Sequence, residues 1–171
     1  MKKYEFTGET KEIRLLFRTA TLHRIRATVA FGIVEVGDLG GWIEKEENLS
    51  HEGKAWVCGD AKVWGNAEVW GNAKVCGDAK VCGDAKVFSA SHVLVIGAIG
   101  SRNDFTTFYR DKDNEITVKC GCFLGKIDRF LEKVTQTHGD SKYALVYRAA
   151  VEVAKLQIDL SGEAPKDADE E

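Results

Sequence analysis

The sequence predicts a mainly β fold organised around six-residue repeats that run from Gly53 to Val93. Each hexad carries an Ala and a Val two positions apart, which point to one side of an extended segment. A Gly-Asn or Gly-Asp pair then supplies the backbone angles of a corner. A helix is excluded because a six-residue period sweeps apolar side chains around a 3.6-residue surface. We therefore predict short strands with three hexads per coil, so that residues eighteen apart stack at about 4.8 Å.

The outward positions of the hexads carry Trp, Cys or Phe, and the eighteen-residue spacing arranges them in ladders. Trp64 stacks over Cys82, Trp70 over Phe88, and Cys58 over Cys76. Since monomers rarely expose contiguous apolar patches, we expect Trp64, Trp70 and Phe88 to form a subunit interface. The alternative is that strands from an appended segment cover this patch.

An aliphatic residue with a small residue four positions later, as in Val57 and Ala61, resembles the hexapeptide repeat of left-handed parallel β-helix proteins. That family includes many acyltransferases and the gamma-class carbonic anhydrases. The upstream segment GDLGGWIEKEENLSHEGKAWV, residues 37–57, resembles the entry segment of YdcK-type hexapeptide-repeat proteins, transferases without an established reaction. The resemblance spans residues 20–105. It implies a short left-handed parallel β-helix of about three coils, and it favours a homotrimer.

The chain divides into four predicted segments. Residues 1–48 form an N-terminal β cap of short alternating strands, and residues 49–104 form the repeat region, whose aliphatic series continues to Phe105. Residues 105–160 form a C-terminal cap with a β-hairpin, Phe105–Arg110 against Ile116–Cys120, and two helices. The second helix turns Tyr143 and Tyr147 inward. Residues 161–171 form an acidic tail that is too polar to order itself.

The charge and the apolar content of the sequence limit the classes of partner and the cellular location that we expect for this protein. The net charge is -3, and the tail from 161 to 171 carries five acids and one Lys, so the rest is nearly neutral. Without a long basic run we expect no nucleic-acid partner, and without a long apolar run no membrane partner. MKKYEFTGETKEI has no apolar signal core, so we expect a cytoplasmic protein whose five cysteines are free thiols.

The richest polar cluster lies where the repeats end. Arg102 offers a planar fork for phosphate or carboxylate, and Asn103 and Asp104 can bind a ribose or a base edge. Ser101, Thr106 and Thr107 add hydroxyl groups. The alternative is that these residues satisfy backbone groups at a turn.

Catalytic residues are scarce. An acyltransferase with a coenzyme A-type donor needs a histidine base, and His92, predicted to point outward, is the candidate. An exposed strand histidine is more often an ordinary surface residue. A three-histidine zinc site is excluded because no two histidines share a hexad position in stacked coils. Cys120 and Cys122 share a strand face with Val118, which favours burial over metal binding. We therefore predict no metal and no cofactor.

Three hypotheses on function follow from the sequence. The first is an oligomeric binding protein that holds, and in a phage-like role sequesters, a small polar anionic or nucleotide-like ligand where the repeats meet the cap, beside Arg102, or at subunit interfaces. The second is the acyltransferase using His92 and acyl-coenzyme A. The third is a structural scaffold that displays the C-terminal cap.

Overall fold

The structure, a computed structural model, describes residues 1–161, so the predicted acidic tail beyond Ser161 lies outside the described residues. Within that range the chain forms thirteen strands, which are arranged in several separate sheets, and two α-helices.

The N-terminal segment forms an antiparallel meander. Strand β1 spans Tyr4–Arg14, β2 spans Thr19–Ala27 and β3 spans Leu39–Ile43. Strand β2 pairs antiparallel with both neighbours, and β3 then pairs in parallel with the second strand of the repeats. The meander therefore covers the edge that the repeats would otherwise expose, as edge strands in native proteins usually require.

The hexads form six strands of two residues each, and residues eighteen apart pair in parallel. The strands are β4 Trp56–Val57, β5 Lys62–Val63, β6 Glu68–Val69, β7 Lys74–Val75, β8 Lys80–Val81 and β9 Lys86–Val87. Val63 lies opposite Val81, which confirms the predicted stacking of these two residues. The Val and Ala side chains of these hexads are at most 1% exposed and share one core.

The predicted fold class, a left-handed parallel β-helix of about three coils, is wrong. Parallel pairing is confined to very short strands, because corners take most of each hexad, and the longer strands pair antiparallel. The aliphatic series does not continue to Phe105. A 3-10 turn at Ala90–His92 ends it, and Val93–Ile99 forms an antiparallel strand. The architecture is a set of separate mixed and antiparallel sheets with two helices.

The C-terminal segment is a four-stranded antiparallel sheet packed against two helices. Strand β10 spans Val93–Ile99, β11 Asp104–Arg110, β12 Ile116–Cys120 and β13 Phe123–Lys126. The predicted hairpin is confirmed as β11 and β12, whereas β10 and β13 were not predicted. Helix α1 spans Ile127–His138 and α2 spans Lys142–Gln157. Tyr147 faces inward as predicted, but Tyr143 is 44% exposed.

Specific polar contacts join the C-terminal sheet to the repeats. The Thr107 Oγ1 accepts a hydrogen bond from the Lys80 amide at 3.0 Å, and the Tyr109 hydroxyl donates to the Cys82 carbonyl at 2.8 Å. Asp84 accepts from the Lys112 amide. The sheet is therefore held in register on the last repeats. Within residues 1–161, neither helix has the length and apolarity that crossing a membrane requires.

The glycine corners allow a prediction with an internal control. Gly53 and Gly77 both have positive φ, but a Cβ at Gly53 would lie 2.7 Å from the Gly71 carbonyl oxygen, whereas one at Gly77 would meet nothing within 4 Å. Both Ala substitutions impose left-handed backbone strain of about 1–2 kcal/mol. We expect Gly53→Ala to lower the free energy of unfolding, measured in urea, by roughly 1 kcal/mol more than Gly77→Ala, because only the former disturbs the next layer. Equal losses of unfolding free energy in the two variants would contradict the stacking of Gly53 on Gly71.

Candidate functional site

A cavity of about 270 Å³ lies between the C-terminal sheet and the two helices. Residues from the β10–β11 turn, the β12–β13 turn and both helices line it. They are Ser101, Arg102, Asp104, Thr106, Cys120, Gly121, Cys122, Phe123, Phe130, Lys133, Val134, Thr137, His138 and Tyr147.

Four of the six predicted ligand-binding residues line this cavity. Ser101, Arg102, Asp104 and Thr106 reach it because the turn between β10 and β11 faces the helices. Asn103 adopts a positive φ of 51° within that turn and is not a lining residue. Thr107 points to the opposite side of β11, where it contacts the Lys80 amide. The alternative, that such residues satisfy backbone groups, therefore holds for Thr107.

The Arg102 guanidinium is positioned by a glycine of the next turn. A Cβ at Gly121 would lie 2.5 Å from Arg102 Nη1, so the guanidinium occupies space that any other residue at this position would fill. Gly121 has a φ of 56°, which favours glycine at this corner. The turn between β12 and β13 therefore leaves room for the guanidinium of this exposed arginine.

Tyr147 forms part of the cavity wall together with Cys120. The tyrosine is 6% exposed, and burial, followed by the nearby Cys120 thiol, raises its pKa to about 12. The Thr106 hydroxyl donates to Cys120 Sγ at 3.5 Å. Because Tyr147 stays protonated at neutral pH, its hydroxyl is a hydrogen-bond donor beside the cavity.

The charged side chains around the cavity favour an anion. Arg102 and Lys133 are basic side chains, and Asp104 is the one carboxylate among the lining residues. One oxygen of Asp104 already accepts the Phe105 amide at 2.7 Å. The His138 ring stacks on Tyr147 at 5.8 Å between centroids, which adds planar surface. Polar and aromatic groups thus converge on a small cation-rich space.

Sequence reasoning missed Lys133 and Cys120 as cavity residues. Lys133 lies one turn from the buried residue Phe130, so its position on the border of the apolar helix face was the available signal. Cys120 was predicted to be buried with Cys122, but Cys120 is half-buried and Cys122 is exposed. Strand β12 ends at Cys120, so Cys122 no longer shares its face.

His92 does not point outward, and the prediction that it does is wrong. The side chain is 2% exposed, its Nδ1 accepts the Phe88 amide at 3.2 Å, and its Nε2 lies 3.4 Å from Arg110 Nη1. Burial, and then the Arg110 charge, lower the pKa of His92. The imidazole is buried, accepts an amide at Nδ1 and lies beside the Arg110 guanidinium, so it is held neutral and has no access to a substrate.

The predicted interface residues differ in their surroundings. Trp64 is 6% exposed because the N-terminal hairpin covers it, in a cluster with Leu22, Trp42 and Cys82. On this side the alternative of cover by an appended segment is the one observed. Trp70 and Phe88 remain half-buried and stack on each other at 5.0 Å between ring centroids.

The prediction that all five cysteines are free thiols is wrong. Cys58 and Cys76, eighteen residues apart on paired strands, form a disulfide. Cys82, Cys120 and Cys122 are free. In the described part of the chain, no group of three or more His, Cys, Asp or Glu side chains is placed to hold a metal ion.

No protein-family model matches the chain, and the search of curated proteins finds no match. The function is therefore argued from the geometry of the cavity and its residues.

The burial of His92 predicts a pH-dependent stability. Because its folded pKa lies below the unfolded value, the unfolded chain takes up a proton first as the pH falls, so stability is complete above the unfolded pKa, about 6.5, and declines below it. We expect the urea unfolding free energy to fall less between pH 7.5 and 5.5 in His92→Asn than in the wild type. Some dependence should remain because burial also lowers the pKa of His51. If the wild type and His92→Asn showed the same pH dependence, the pKa of His92 would be the same in the folded and unfolded states.

Proposed function

We propose that this chain is a binding protein for a small polar anion, with a nucleotide-like phosphate or carboxylate compound as its ligand. The observation that carries the proposal is the Arg102 guanidinium, placed over Gly121 at a cavity that also presents Lys133 and the Tyr147 hydroxyl. Arginine binds phosphate and carboxylate groups through two parallel N–H donors, which makes it suited to this ligand class.

The size and composition of the cavity support a compact ligand. A volume of about 270 Å³ lies just under the usual range for small-molecule sites, roughly 300–1,000 Å³. Phe123, Phe130 and the stacked His138–Tyr147 pair supply planar apolar surface. A ligand with one anionic group and one ring, on the scale of a mononucleotide, satisfies both the cations and the aromatic walls.

The proposal includes a homotrimer in the cytoplasm, a compartment in which the Cys58–Cys76 disulfide would have to withstand reduction. Trp70 and Phe88 support self-association because this stacked pair is only half-buried within one chain. Trp64 has no part in such an interface, since its own hairpin covers it. Sequestration of the ligand fits a site that offers cations and planar surface and in which we assign no base or nucleophile.

The acyltransferase hypothesis receives no support from the surroundings of His92. A general base must lie within hydrogen-bond reach of its substrate, and this imidazole is 2% exposed, with its Nδ1 accepting the Phe88 amide and its Nε2 beside the Arg110 guanidinium. The scaffold hypothesis predicts no ligand at all, so the binding experiment below also separates it from our proposal.

Removing the guanidinium tests the site directly. We expect AMP and inorganic phosphate to raise the melting temperature of the wild type and to bind Arg102→Ala more weakly by about 1.5–3 kcal/mol, roughly ten- to hundredfold in Kd by calorimetry. Arg129→Ala is the control, because Arg129 is exposed on α1 and does not line the cavity. A wild type that binds neither anion, or equal affinity in both variants, would contradict the proposal, and binding of coenzyme A alone would favour the transferase.

Gly121 provides a second test that leaves every polar group in place. Gly121→Ala puts a Cβ 2.5 Å from Arg102 Nη1, the far end of an exposed side chain that has to shift, so we expect a loss of AMP affinity that is measurable but smaller than that of Arg102→Ala. Gly139→Ala is the matched control: its φ of 57° imposes the same backbone strain, but its Cβ meets nothing within 4 Å. Both variants should lose about 1–2 kcal/mol of stability. If they also bind AMP equally well, the position of Arg102 does not matter.

A further inference from the structure

A second and larger concavity, of about 600 Å³, lies on another part of the molecule. The loop between β2 and β3 forms one wall, and strands β4 and β7 form the other. We call it the loop groove and define it by Phe31, Ile33, Leu39, Lys54, Trp56 and Lys74. None of these residues belongs to the cavity beside Arg102.

The loop wall is held in place by short-range hydrogen bonds. The Phe31 and Val34 backbones exchange two bonds of 3.0 and 2.8 Å, and the base of the loop is closed by bonds from Ala27 to Asp38 and from Gly37 to Ala27, both 2.9 Å. The Phe31 ring packs edge-on against Trp56 at 5.3 Å between centroids. A disulfide ties together β4 and β7 beside it. The groove is thus a preformed feature of the fold.

The loop exposes large apolar side chains around this groove. Ile33 is 81% exposed, Val36 67% and Leu39 51%. Ile33 and Leu39 line the groove, and exposed apolar side chains that border a concavity are typical of binding sites. Trp56 and Val34, in contrast, are buried at 5% and 8% exposure and lie deeper in the groove. Apolar surface therefore continues from the rim to the floor.

Two lysines supply the charge of the groove. Neither Lys54 nor Lys74 has an ion-pair partner among residues 1–161, and both line the concavity. The one carboxylate in the lining, Asp38, accepts the Glu35 amide at 2.9 Å. The charge balance of the groove therefore calls for an anion next to apolar surface.

We propose that the loop groove binds a free amphipathic carboxylate, with its chain or ring against Trp56, Ile33 and Leu39 and its carboxylate at Lys54 and Lys74. A single small molecule matches the site because the apolar surface is concave and ends on buried side chains. A membrane or a flat protein surface would contact the rim residues and leave the floor uncovered. The volume lies within the usual range for small-molecule sites, roughly 300–1,000 Å³.

The test uses the fluorescent anion 8-anilinonaphthalene-1-sulfonate and its displacement by decanoate below the micelle-forming concentration. We expect the wild type to bind the dye, decanoate to displace it, and 1-decanol, which lacks the charge, to compete at least tenfold more weakly. Ile33→Asp and the double variant Lys54→Gln/Lys74→Gln should each weaken decanoate binding at least tenfold. These side chains are on the surface, so the variants should fold.

Matched controls lie on α2, away from the groove. Leu156→Asp alters an apolar residue that is 89% exposed, and Lys142→Gln removes an exposed charge; both should bind decanoate as the wild type does. Arg102→Ala should also leave decanoate binding unchanged, which separates this proposal from the anion site beneath the helices.

Three results would overturn the proposal. The first is equal weakening by Leu156→Asp and Ile33→Asp, which would indicate unspecific adsorption. The second is that the wild type, but not Ile33→Asp, co-sediments with phosphatidylglycerol vesicles while decanoate fails to displace the dye. That result would make the loop a membrane contact. The third is a concentration-dependent dimer that Ile33→Asp dissociates while decanoate fails to bind, which would make the groove an interface between two copies.

Discussion

The stacking of the hexads on one another is the constraint on which the rest of the molecule depends. Each layer donates backbone amides to the carbonyls of residues seventeen positions on, for example Trp56 to Ala73, Lys62 to Ala79 and Glu68 to Ala85, at 2.9–3.0 Å. The inner side chains of all layers point into one shared core, and Ala and Val fill it at 0–1% exposure. The six-residue repeat therefore follows from the pairing and packing of the layers.

A stack of two-residue strands must satisfy its end groups, and the flanking segments do this with side chains as well as strands. On the N-terminal side the Asn48 amide donates to the Ala67 carbonyl at 2.9 Å, and the Lys3 ammonium donates to the Ala55 carbonyl at 2.7 Å. Burial lowers the pKa of this lysine to about 8. On the other side Thr107 and Tyr109 bond the backbone of the last repeats. Those bonds place β11, and with it the turn that carries Arg102.

Local pairing was predictable from the sequence, whereas the choice between parallel and antiparallel partners was not. Val93 and Ile99 are six apart and fit the repeat series, yet they lie on an antiparallel strand, because the same alternation of side chains serves both pairings and the available partner decides. His92 occupies an outward slot of the hexad, but the 3-10 turn at Ala90–His92 rotates it inward. At the candidate site, Arg102 and Asp104 were identified by chemical type within one turn. Lys133 and Tyr147 come from helices whose docking no local pattern specifies.

Two glycines next to the cavity beside Arg102 leave space for polar side chains of the site. A Cβ at Gly100 would lie 1.9 Å from the Tyr147 hydroxyl, and one at Gly121 would lie 2.5 Å from Arg102 Nη1, so two polar groups of the site each lie against a turn glycine. Both positions have positive φ, which favours glycine at these turns. Positive φ is also adopted at Asn103 and Asn114, but a side chain at Gly100 or Gly121 would in addition displace Tyr147 or Arg102, so both glycines leave space that the site uses.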